Sequence, residues 1–398
     1  MHGVADVIVV GGSVAGAATA VFLGRRGRRV TVLERAHFPR DKPCGEGLMP
    51  HGVEVLRELG LSDALRAACA RELIGVRYLL PDGRAVAARF PCAARGSGVA
   101  LGIRRLALDH LLVQHAAALP GVEFRQRFQV RRLLRSRDGL IAVSDGRETV
   151  HGRVLVGADG IHSRVRAWLG WDGSRRWLRR YGVVGHYRLG GDAQPPLIEV
   201  LLTPGMEAYL TPLGGGEVLV ALLGGRHLLR HFAGRLNEAF AETVQGQPLL
   251  AARLRGAELL SGVRATGPFA AHANRVAGSR ALLVGDAAGF LDPITGEGMA
   301  SALLQARAAA DVIDRALDRD RLPDLREYSA MHRAITRQGA LLTWLALALC
   351  SSRTFRGRAM GGLRRRRGLF GKLLAIDCGR AAFTTLSARD WLALLTGI

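Results

Sequence analysis

The stretch from Asp6 to Glu34, DVIVVGGSVAGAATAVFLGRRGRRVTVLE, decides how the rest of the chain is interpreted. It opens with the apolar run Val7 to Val10, which is typical of a buried strand. A glycine-rich turn follows, and the next residues predict a helix from Ala17 to Arg26. Val30 to Leu33 predicts a second strand. Strand, turn, helix and strand within about thirty residues predict one βαβ unit.

The turn after the first strand has the features of a phosphate site. Gly11-x-Ser13-x-x-Gly16 matches the dinucleotide pattern G-x-G-x-x-G, with serine at the middle position. A helix N-terminus favours negative charge through its free N–H groups and its dipole. Gly16 allows close packing of helix and strand, and Glu34 is placed to accept hydrogen bonds from a ribose diol. The alternative is an ordinary βαβ turn without a ligand.

Composition indicates a globular chain of two or three domains, since 398 residues are 48% hydrophobic and 23% charged. The net charge is +22, and Lys42 and Lys372 are the only lysines, so arginine supplies the positive charge. Such a surface attracts phosphates, nucleotides and acidic membranes, or it simply spreads arginine over solvated faces. We expect no nucleic acid as a partner because no nucleic-acid-binding motif is present.

The cysteines show no paired or zinc-type spacing, which predicts a reducing compartment and no metal site. They are Cys44, Cys69, Cys92, Cys350 and Cys378. The first residues lack the features of a secretory signal. The longest apolar run, Ala340 to Cys350, is shorter than a membrane span requires. We therefore expect a cytoplasmic protein without a transmembrane segment.

Two further strand-and-turn motifs lie downstream of the βαβ unit. One apolar run ends in Gly157-Ala158-Asp159-Gly160, and another, from Ala281 to Val284, ends in Gly285-Asp286. A long helix is predicted from Met299 to Ala316. Between these motifs, residues from about 177 to 269 alternate apolar and polar positions with glycine-rich turns. That pattern predicts a mostly antiparallel sheet suited to walling a substrate cavity.

Together, the Gly11–Gly16 turn, Gly157-Ala158-Asp159-Gly160, and Gly285-Asp286 followed by Pro293 and Gly296-x-Gly298 resemble one family. This is the family of flavoprotein monooxygenases with the p-hydroxybenzoate hydroxylase fold, together with geranylgeranyl reductases and flavin-dependent halogenases. The resemblance covers about residues 5 to 330. It implies an α/β fold in which a Rossmann-like FAD-binding domain, built on a glutathione-reductase-type βαβ unit, is interleaved with an antiparallel substrate sheet and followed by C-terminal helices.

The implied domain organisation is discontinuous. Residues 1–72, 101–172 and 270–330 are predicted to form the FAD-binding domain, residues 73–100 and 173–269 the substrate domain, and residues 331–398 a C-terminal helical region. The resemblance also implies the cofactors, FAD with NAD(P)H as the electron donor. The cofactor-binding residues expected from motif and resemblance are Gly11, Gly12, Ser13, Ala15, Gly16, Glu34, Arg35, Cys44, Gly45, Arg105, Asp159, Gly285, Asp286, Pro293, Gly296 and Gly298.

Several of these positions have implied roles. Arg105, four residues before Asp109, matches the family pattern R-x-x-L-D and should contact FAD. Asp286 should hold the ribityl chain, and the N-terminus of the Met299 helix should face the flavin pyrimidine ring, where reduced flavin is negatively charged. Asp159 belongs to a motif linked to FAD and NAD(P)H; alternatively, it caps the helix that starts near Ser163.

The reaction within this family is left open between two classes. Cys44-Gly45-Glu46-Gly47-Leu48 resembles the Cys-Gly-Gly-Gly-Leu loop of geranylgeranyl reductases, with Glu46 in place of a glycine. The W-x-W-x-I-P motif of halogenases is absent. A reductase needs a catalytic proton donor, and the sequence offers only weak candidates, Cys44 and Tyr209, with no second aromatic residue beside Tyr209. The sequence therefore favours an NAD(P)H-dependent monooxygenase that hydroxylates or epoxidises an apolar or phenolic molecule. The alternative is a reductase that saturates isoprenoid double bonds.

Further expectations concern the residues that orient the substrate and the C-terminal segment. Tyr209, His51 and His186 are candidates for orienting the substrate, although each is more often a structural residue. The segment from Leu341 to Leu374 is apolar and then basic. It predicts either a surface helix that contacts an anionic membrane peripherally or a solvated face packed on the enzyme.

Overall fold

The fold is taken from a computed structural model of the chain. The structure describes residues 4–92, 98–135, 141–173, 179–190, 194–260, 262–319 and 323–397. Within these ranges the strands β1 to β20 are, in chain order, Ala5–Val10, Val30–Leu33, Gly47–Leu48, Arg71–Leu73, Gly75–Leu79, Ala85–Arg89, Ala100–Gly102, Val122–Arg125, Arg132–Arg135, Ile141–Ser144, Thr149–Gly157, Tyr181–Arg188, Leu197–Thr203, Met206–Pro212, Glu217–Gly224, Glu258–Leu259, Arg264–Thr266, Ala271–His272, Ala281–Leu283 and Gly289–Phe290.

The α-helices of the same ranges are labelled α1 to α13. They are Val14–Gly24, Pro50–Glu58, Ser62–Ala67, Arg105–Ala117, Arg164–Trp168, Arg226–Phe232, Leu236–Gln245, Pro248–Arg253, Gly298–Arg319, Tyr328–Ser351, Arg353–Arg365, Leu369–Asp377 and Ala388–Thr396. Short 3-10 turns lie at Gly285–Ala287, Pro293–Thr295 and Phe383–Thr385.

The first sheet confirms the predicted βαβ unit. Its strand order is β8-β2-β1-β11-β10-β9, and β19 also pairs with β11. β1 runs parallel to β2 and to β11, with Val7 opposite Val30 and Val9 opposite Val156. The helix α1 begins at Val14, three residues earlier than predicted, because the turn contains only residues 11–13. Every residue of α1 is buried, and the helix packs against α4 and α9.

The second sheet is mostly antiparallel, as predicted, in the order β16-β12-β15-β14-β13-β5-β6. The exception is the parallel pair of β13 and β5. Successive side chains of a strand point to opposite faces, so this sheet has two cores. Ile198, Val200 and Leu202 of β13 belong to the large core shared with the first sheet, whereas Leu201 packs with Phe240 of α7.

The C-terminal region is helical, as predicted, and lies over the second sheet. The helices α11 and α12 contact β6, and α10 contacts α9 and the turn Pro293–Thr295. The buried residues Met360, Leu363, Phe370 and Leu374 join the large core, whereas the basic side chains between them are mostly exposed. The expected α/β fold class is therefore confirmed. The strand order shows the interleaving of two sheets, while the domain boundaries themselves remain a prediction.

The helix α10 is longer than the eleven-residue apolar run indicated. By length and composition alone it could cross a membrane, and 22% of its most apolar window is buried within the protein. Polar residues of its first half account for the extra length, because the helix starts at Tyr328.

Candidate active site

A cavity of about 270 Å3 lies between the first sheet, the second sheet and the C-terminal helices. The strands β1, β11 and β19 are parallel neighbours, so their carboxyl ends lie at one edge of the sheet. The three sequence motifs follow these ends directly. Ligands of open α/β sheets bind at such an edge. The cavity therefore lies where the motifs predict a cofactor.

The first turn is built by close contacts that only glycine permits. Gly11 has a φ of +100°, and a Cβ there would lie 2.4 Å from the carbonyl oxygen of Ala158. A Cβ at Gly16 would lie 1.8 Å from the carbonyl oxygen of Gly11. A Cβ at Gly12 would meet the ring of Phe124 at 2.3 Å. These contacts hold the turn against β11 and bring the N-terminus of α1 to the cavity, where Ser13 and Ala15 form part of the wall.

The predicted ribose acid, Glu34, is buried beside this turn. Its carboxylate accepts hydrogen bonds from the backbone N–H of Gly12 at 2.9 Å and of Ala36 at 2.8 Å. Each carboxylate oxygen has further lone pairs, so both contacts leave capacity for a ribose hydroxyl. Arg35 is exposed. Neither residue lines the cavity described here, and their contact with FAD stays a prediction.

Arg105 and Asp109 form a buried ion pair against the first turn. The Arg105 guanidinium donates to Asp109 at 2.8 and 2.9 Å and to the hydroxyl of Ser13 at 2.7 Å. Ser13 in turn donates to Asp109 at 2.9 Å. Burial alone would raise the pKa of Asp109, but Arg105, Arg40 and the Ser13 hydroxyl hold it below its ordinary value. The serine of the motif thus joins the two halves of the predicted FAD site.

The loop at residues 42–47 forms the next part of the wall, and Cys44 and Gly45 line the cavity as predicted for cofactor-binding residues. Glu46, which the sequence identified only as a departure from the family motif, is 1% exposed and has a φ of +55°. Its carboxylate accepts the backbone N–H of Arg105 at 2.8 Å and lies 2.8 Å from Nε2 of His186. The pair ties the cofactor loop to the second sheet.

The left-handed backbone of Glu46 explains why related loops have glycine there, because residues with a Cβ adopt it at a cost. His186 lies behind the cavity wall as the partner of Glu46 and does not line the cavity. His51 is also outside the cavity lining. Its two ring nitrogens are buried without hydrogen-bond partners, and burial together with Arg380 lowers its pKa to about 4.

Asp159 and Asp286 follow neighbouring strands but differ in surroundings. The Asp159 carboxylate accepts from the Ser163 hydroxyl at 2.5 Å and from the first N–H groups of α5 at 2.7 and 3.1 Å, as a helix cap does. Asp159 does not line the cavity, although Gly160 does, and its contact with a cofactor stays a prediction. Asp286 lines the cavity, with Nζ of Lys42 at 3.8 Å.

Residues 293–298, which lead into α9, complete the polar end of the cavity. Pro293, Gly296 and Gly298 line the cavity, and α9 begins at Gly298. Gly285 has a φ of +61°, and a Cβ there would lie 2.9 Å from Cβ of Ala15. The N-termini of α1 and α9 therefore both open on one cavity that also holds Asp286. This donor set fits FAD, with the pyrophosphate at α1 and the electron-rich part of the flavin at α9.

Tyr209 joins the second sheet to this segment. Its hydroxyl donates to the carbonyl oxygen of Ile294 at 2.7 Å, and burial raises the pKa of Tyr209 well above its ordinary value. Thr211, on the same strand, donates to the carbonyl oxygen of Gly45 at 2.8 Å. Tyr209 thus lies in the cavity wall as predicted, with its hydroxyl proton already engaged.

The rest of the wall is mostly apolar, with Tyr78, Arg356 and Asp377 as its main polar members, and it was not predicted from the sequence. It combines one face of the second sheet with the inner faces of α10, α11 and α12, namely Val76, Val184, Ile198, Val200, Leu202, Ala221, Leu223, Leu342, Leu345, Ala346, Leu349, Met360, Leu363, Phe370, Leu373 and Leu374. Asp377 interrupts this surface at the end of α12. Within the described residues no group of His, Cys, Asp or Glu has the arrangement of a metal site.

Comparison with known proteins supports the FAD-binding fold. Residues 4–185 match the family model described as an FAD binding domain. The menaquinone reductase of Mycobacterium tuberculosis is 32% identical over 339 residues, which cover 78% of this chain and 76% of that protein. The squalene monooxygenase of Mus musculus is 30% identical over 358 residues, 83% of this chain and 57% of that protein.

A solved structure shows the same fold over almost the whole chain. The flavoprotein/dehydrogenase from Cytophaga hutchinsonii superposes with a TM-score of 0.82 and 19% sequence identity, covering 98% of this chain and 99% of that one. The C-terminal helices over the second sheet are therefore included in the shared architecture.

Proposed function

Because the chain belongs to the FAD-dependent oxidoreductase superfamily of the p-hydroxybenzoate hydroxylase fold, we propose that it reduces a double bond in a long apolar molecule of the isoprenoid class. FAD, when bound and reduced, supplies the hydride for such a reaction. NAD(P)H is the proposed electron donor. The protein's own part is to hold the apolar chain, to exclude water and to place a proton opposite the flavin.

The apolar wall of the cavity is the observation that carries this proposal. On one side it presents Val200 and Leu202 of β13, and on the other Leu345 and Leu349 of α10 with Phe370 of α12. Aliphatic side chains on opposite walls bind a flexible hydrocarbon by burial of apolar area, worth about 25 cal/mol per Å2.

Two relatives support the proposed substrate class, but one is a reductase and the other a monooxygenase. Menaquinone and squalene, which their names specify, both carry isoprenoid chains. The menaquinone reductase has the higher identity, and its match covers 76% of that protein. The squalene monooxygenase favours the second candidate, insertion of oxygen into the same class of substrate. The monooxygenase reaction is also the one that the sequence favours, because neither Cys44 nor Tyr209 is a strong candidate for a proton donor.

An anaerobic assay separates the two reactions. Protein reconstituted with FAD is reduced with NAD(P)H in the absence of oxygen and mixed with menaquinone, squalene or a geranylgeranyl lipid, and the products are analysed by mass spectrometry. We expect a gain of two hydrogens per turnover without oxygen. Product that forms only in air, with one atom from labelled O2, would establish the monooxygenase instead.

We further propose a cytoplasmic enzyme that contacts a membrane peripherally, since an isoprenoid substrate must enter from a lipid phase. The helix α10 lines the cavity with one face and exposes Leu341 and Trp344, at 46% and 41%, on another. The neighbouring α11 exposes several arginines, which anionic lipid attracts. Apolar and basic groups side by side are the combination that peripheral membrane helices use.

Vesicle sedimentation tests this contact. We expect binding to vesicles with phosphatidylglycerol, weaker binding to phosphatidylcholine alone, and loss of binding in Leu341→Gln. Leu134→Gln, at a leucine of similar exposure on β9, is the matched control and should bind as the wild type does. Equal sedimentation of all three proteins would contradict the proposal.

A further inference from the structure

The cavity-facing side of α12 carries one carboxyl among apolar side chains. Phe370, Leu373, Leu374 and Asp377 all line the cavity, and their spacing of three, four and seven residues places them on one face of the helix. Asp377 is 7% exposed, and its Oδ1 is buried without a hydrogen-bond partner. A buried polar atom without a partner is costly, so its place in a ligand cavity suggests that a ligand supplies the partner.

A second carboxyl lies next to Asp377. Glu297 stands between Gly296 and Gly298, which line the cavity at the N-terminus of α9. It packs so closely against α10 that a Cβ at Gly339 would lie 1.7 Å from its Oε2. Burial raises the pKa of Asp377 to about 7. Burial and the charge of Asp377 raise the pKa of Glu297 to about 9.

Arg356 of α11 is the positively charged neighbour in the lining of the same cavity, and its guanidinium donates to the carbonyl oxygen of Cys350 at 3.2 Å. Tyr78 of β5 lies close enough for the Asp377 charge to add to the effect of burial in raising its pKa. Cys378, the next residue of α12, is buried and responds to the same two carboxyls. Beyond Cys378, Arg380 forms an ion pair with Glu54 of α2. Asp377 and Glu297 together therefore keep at least one proton near neutral pH.

We propose that Asp377 donates the proton to the substrate double bond, an inference that rests on the proposed reductase function. FAD, when bound and reduced, would supply a hydride, with its two electrons, for the C–H bond at one alkene carbon. The Asp377 O–H bond breaks and a C–H bond forms at the other carbon. The Asp377 carboxylate then regains a proton from water. NAD(P)H supplies the electrons for the next turnover.

The two donors considered from the sequence fit this role less well. The Tyr209 hydroxyl already donates to Ile294, and its raised pKa makes it a weaker acid than a carboxyl. Cys44 lies at the polar end of the cavity, where its thiol interacts with the guanidinium of Arg105. Of these three candidates, only Asp377 is a carboxylic acid that also lies in the apolar wall that would hold the hydrocarbon.

Stopped-flow measurement of the two half-reactions, with menaquinone as the alkene, tests the proposal. In Asp377→Asn we expect flavin reduction by NAD(P)H within about twofold of the wild type and anaerobic reoxidation by the alkene slower by about 10²–10⁴-fold, the usual contribution of a general acid. Asp377→Glu should recover part of that loss. Glu54→Gln removes a carboxylate from the solvent side of the same region and should behave as the wild type.

The outcomes distinguish this inference from the proposed function. A wild type that reduces no double bond overturns the reductase function and the donor together. A wild type that does, with Asp377→Asn equally fast, overturns only the donor. Loss in Cys44→Ser without loss in Asp377→Asn assigns the proton to the thiol instead.

Infrared spectroscopy tests the protonation state of the Asp377 carboxyl directly, without turnover. Infrared difference spectra between pH 5 and pH 9 should show a protonated carboxylic acid in the wild type that is still present at pH 6 and is missing in Asp377→Asn. Glu54→Gln should retain the band. Identical carboxylic acid bands in the wild type and in Asp377→Asn at pH 6 would overturn the proposal, because an ionised Asp377 has no proton to donate.

Discussion

Replacing Glu46 with glycine tests how the polar end of the site is held together. The substitution restores the residue that related loops carry and relieves a backbone with a φ of +55°. It also removes a buried carboxylate that holds two partners at 2.8 Å, the backbone N–H of Arg105 and Nε2 of His186. Relief of strain should raise the free energy of unfolding and the lost contacts should lower it, so the larger of the two effects decides whether Glu46→Gly is more or less stable.

The lost contacts should dominate. A residue with a Cβ in the left-handed region costs about 1 kcal/mol, and the greater freedom of glycine in the unfolded chain cancels about 0.5–1 kcal/mol of that gain. Each buried group left without its partner costs about 1–3 kcal/mol. We therefore expect Glu46→Gly to lower the free energy of unfolding by about 2–5 kcal/mol and to weaken FAD binding, because Arg105 is no longer fixed.

Urea unfolding of the FAD-saturated protein, together with a fluorescence titration of FAD, measures both effects. Glu46→Gln keeps an acceptor for Arg105 and should lose less stability than Glu46→Gly. His186→Ala, combined with Glu46→Gly in a double-mutant cycle, should give a coupling energy of about 0.5–3 kcal/mol. A Glu46→Gly protein as stable as the wild type, or more stable, would show that the backbone strain outweighs the pair and would refute this reasoning.

Three further substitutions test the predicted roles of single residues. Gly16→Val should abolish FAD binding, because a Cβ would lie 1.8 Å from the carbonyl oxygen of Gly11; a folded variant that turns yellow with FAD would contradict this. Asp286→Ala should weaken FAD binding by about 1–3 kcal/mol if the ribityl chain loses a buried partner, and an unchanged titration would mean that Asp286 does not contact FAD. Tyr209→Phe leaves the carbonyl of Ile294 without its donor and should cost about 1 kcal/mol of stability; a loss of turnover above a hundredfold would restore Tyr209 as a catalytic candidate.

The sequence predicted the cofactor end of the molecule because that end is built from local patterns. Each of the three motifs directly follows a strand, and parallel strands bring their carboxyl ends to one edge whatever the loops between them do. The alternation of residues in the second sheet was equally local. For Asp159 the two interpretations remain as they were, since its contacts with α5 account for both carboxylate oxygens without testing a cofactor.

The Glu46–His186 pair and the apolar end of the cavity could not be predicted in the same way. Glu46 and His186 are 140 residues apart, and a left-handed glutamate has no sequence pattern of its own. In the C-terminal region, the apolar stripe of α11 and α12 is compatible with a membrane or with a protein core, and periodicity does not distinguish the two. The structure shows that the stripe closes the cavity, while the exposed arginines leave the membrane contact open to experiment.

Glu46 and Asp377 both line the cavity but differ in their partners. Glu46 has both oxygens engaged by the protein, so it fixes the loop. Asp377 has an oxygen without a hydrogen-bond partner and lies in the apolar wall of the cavity. The flavin is expected at the N-terminus of α9, so a double bond that receives its proton from Asp377 should lie within reach of both α9 and α12.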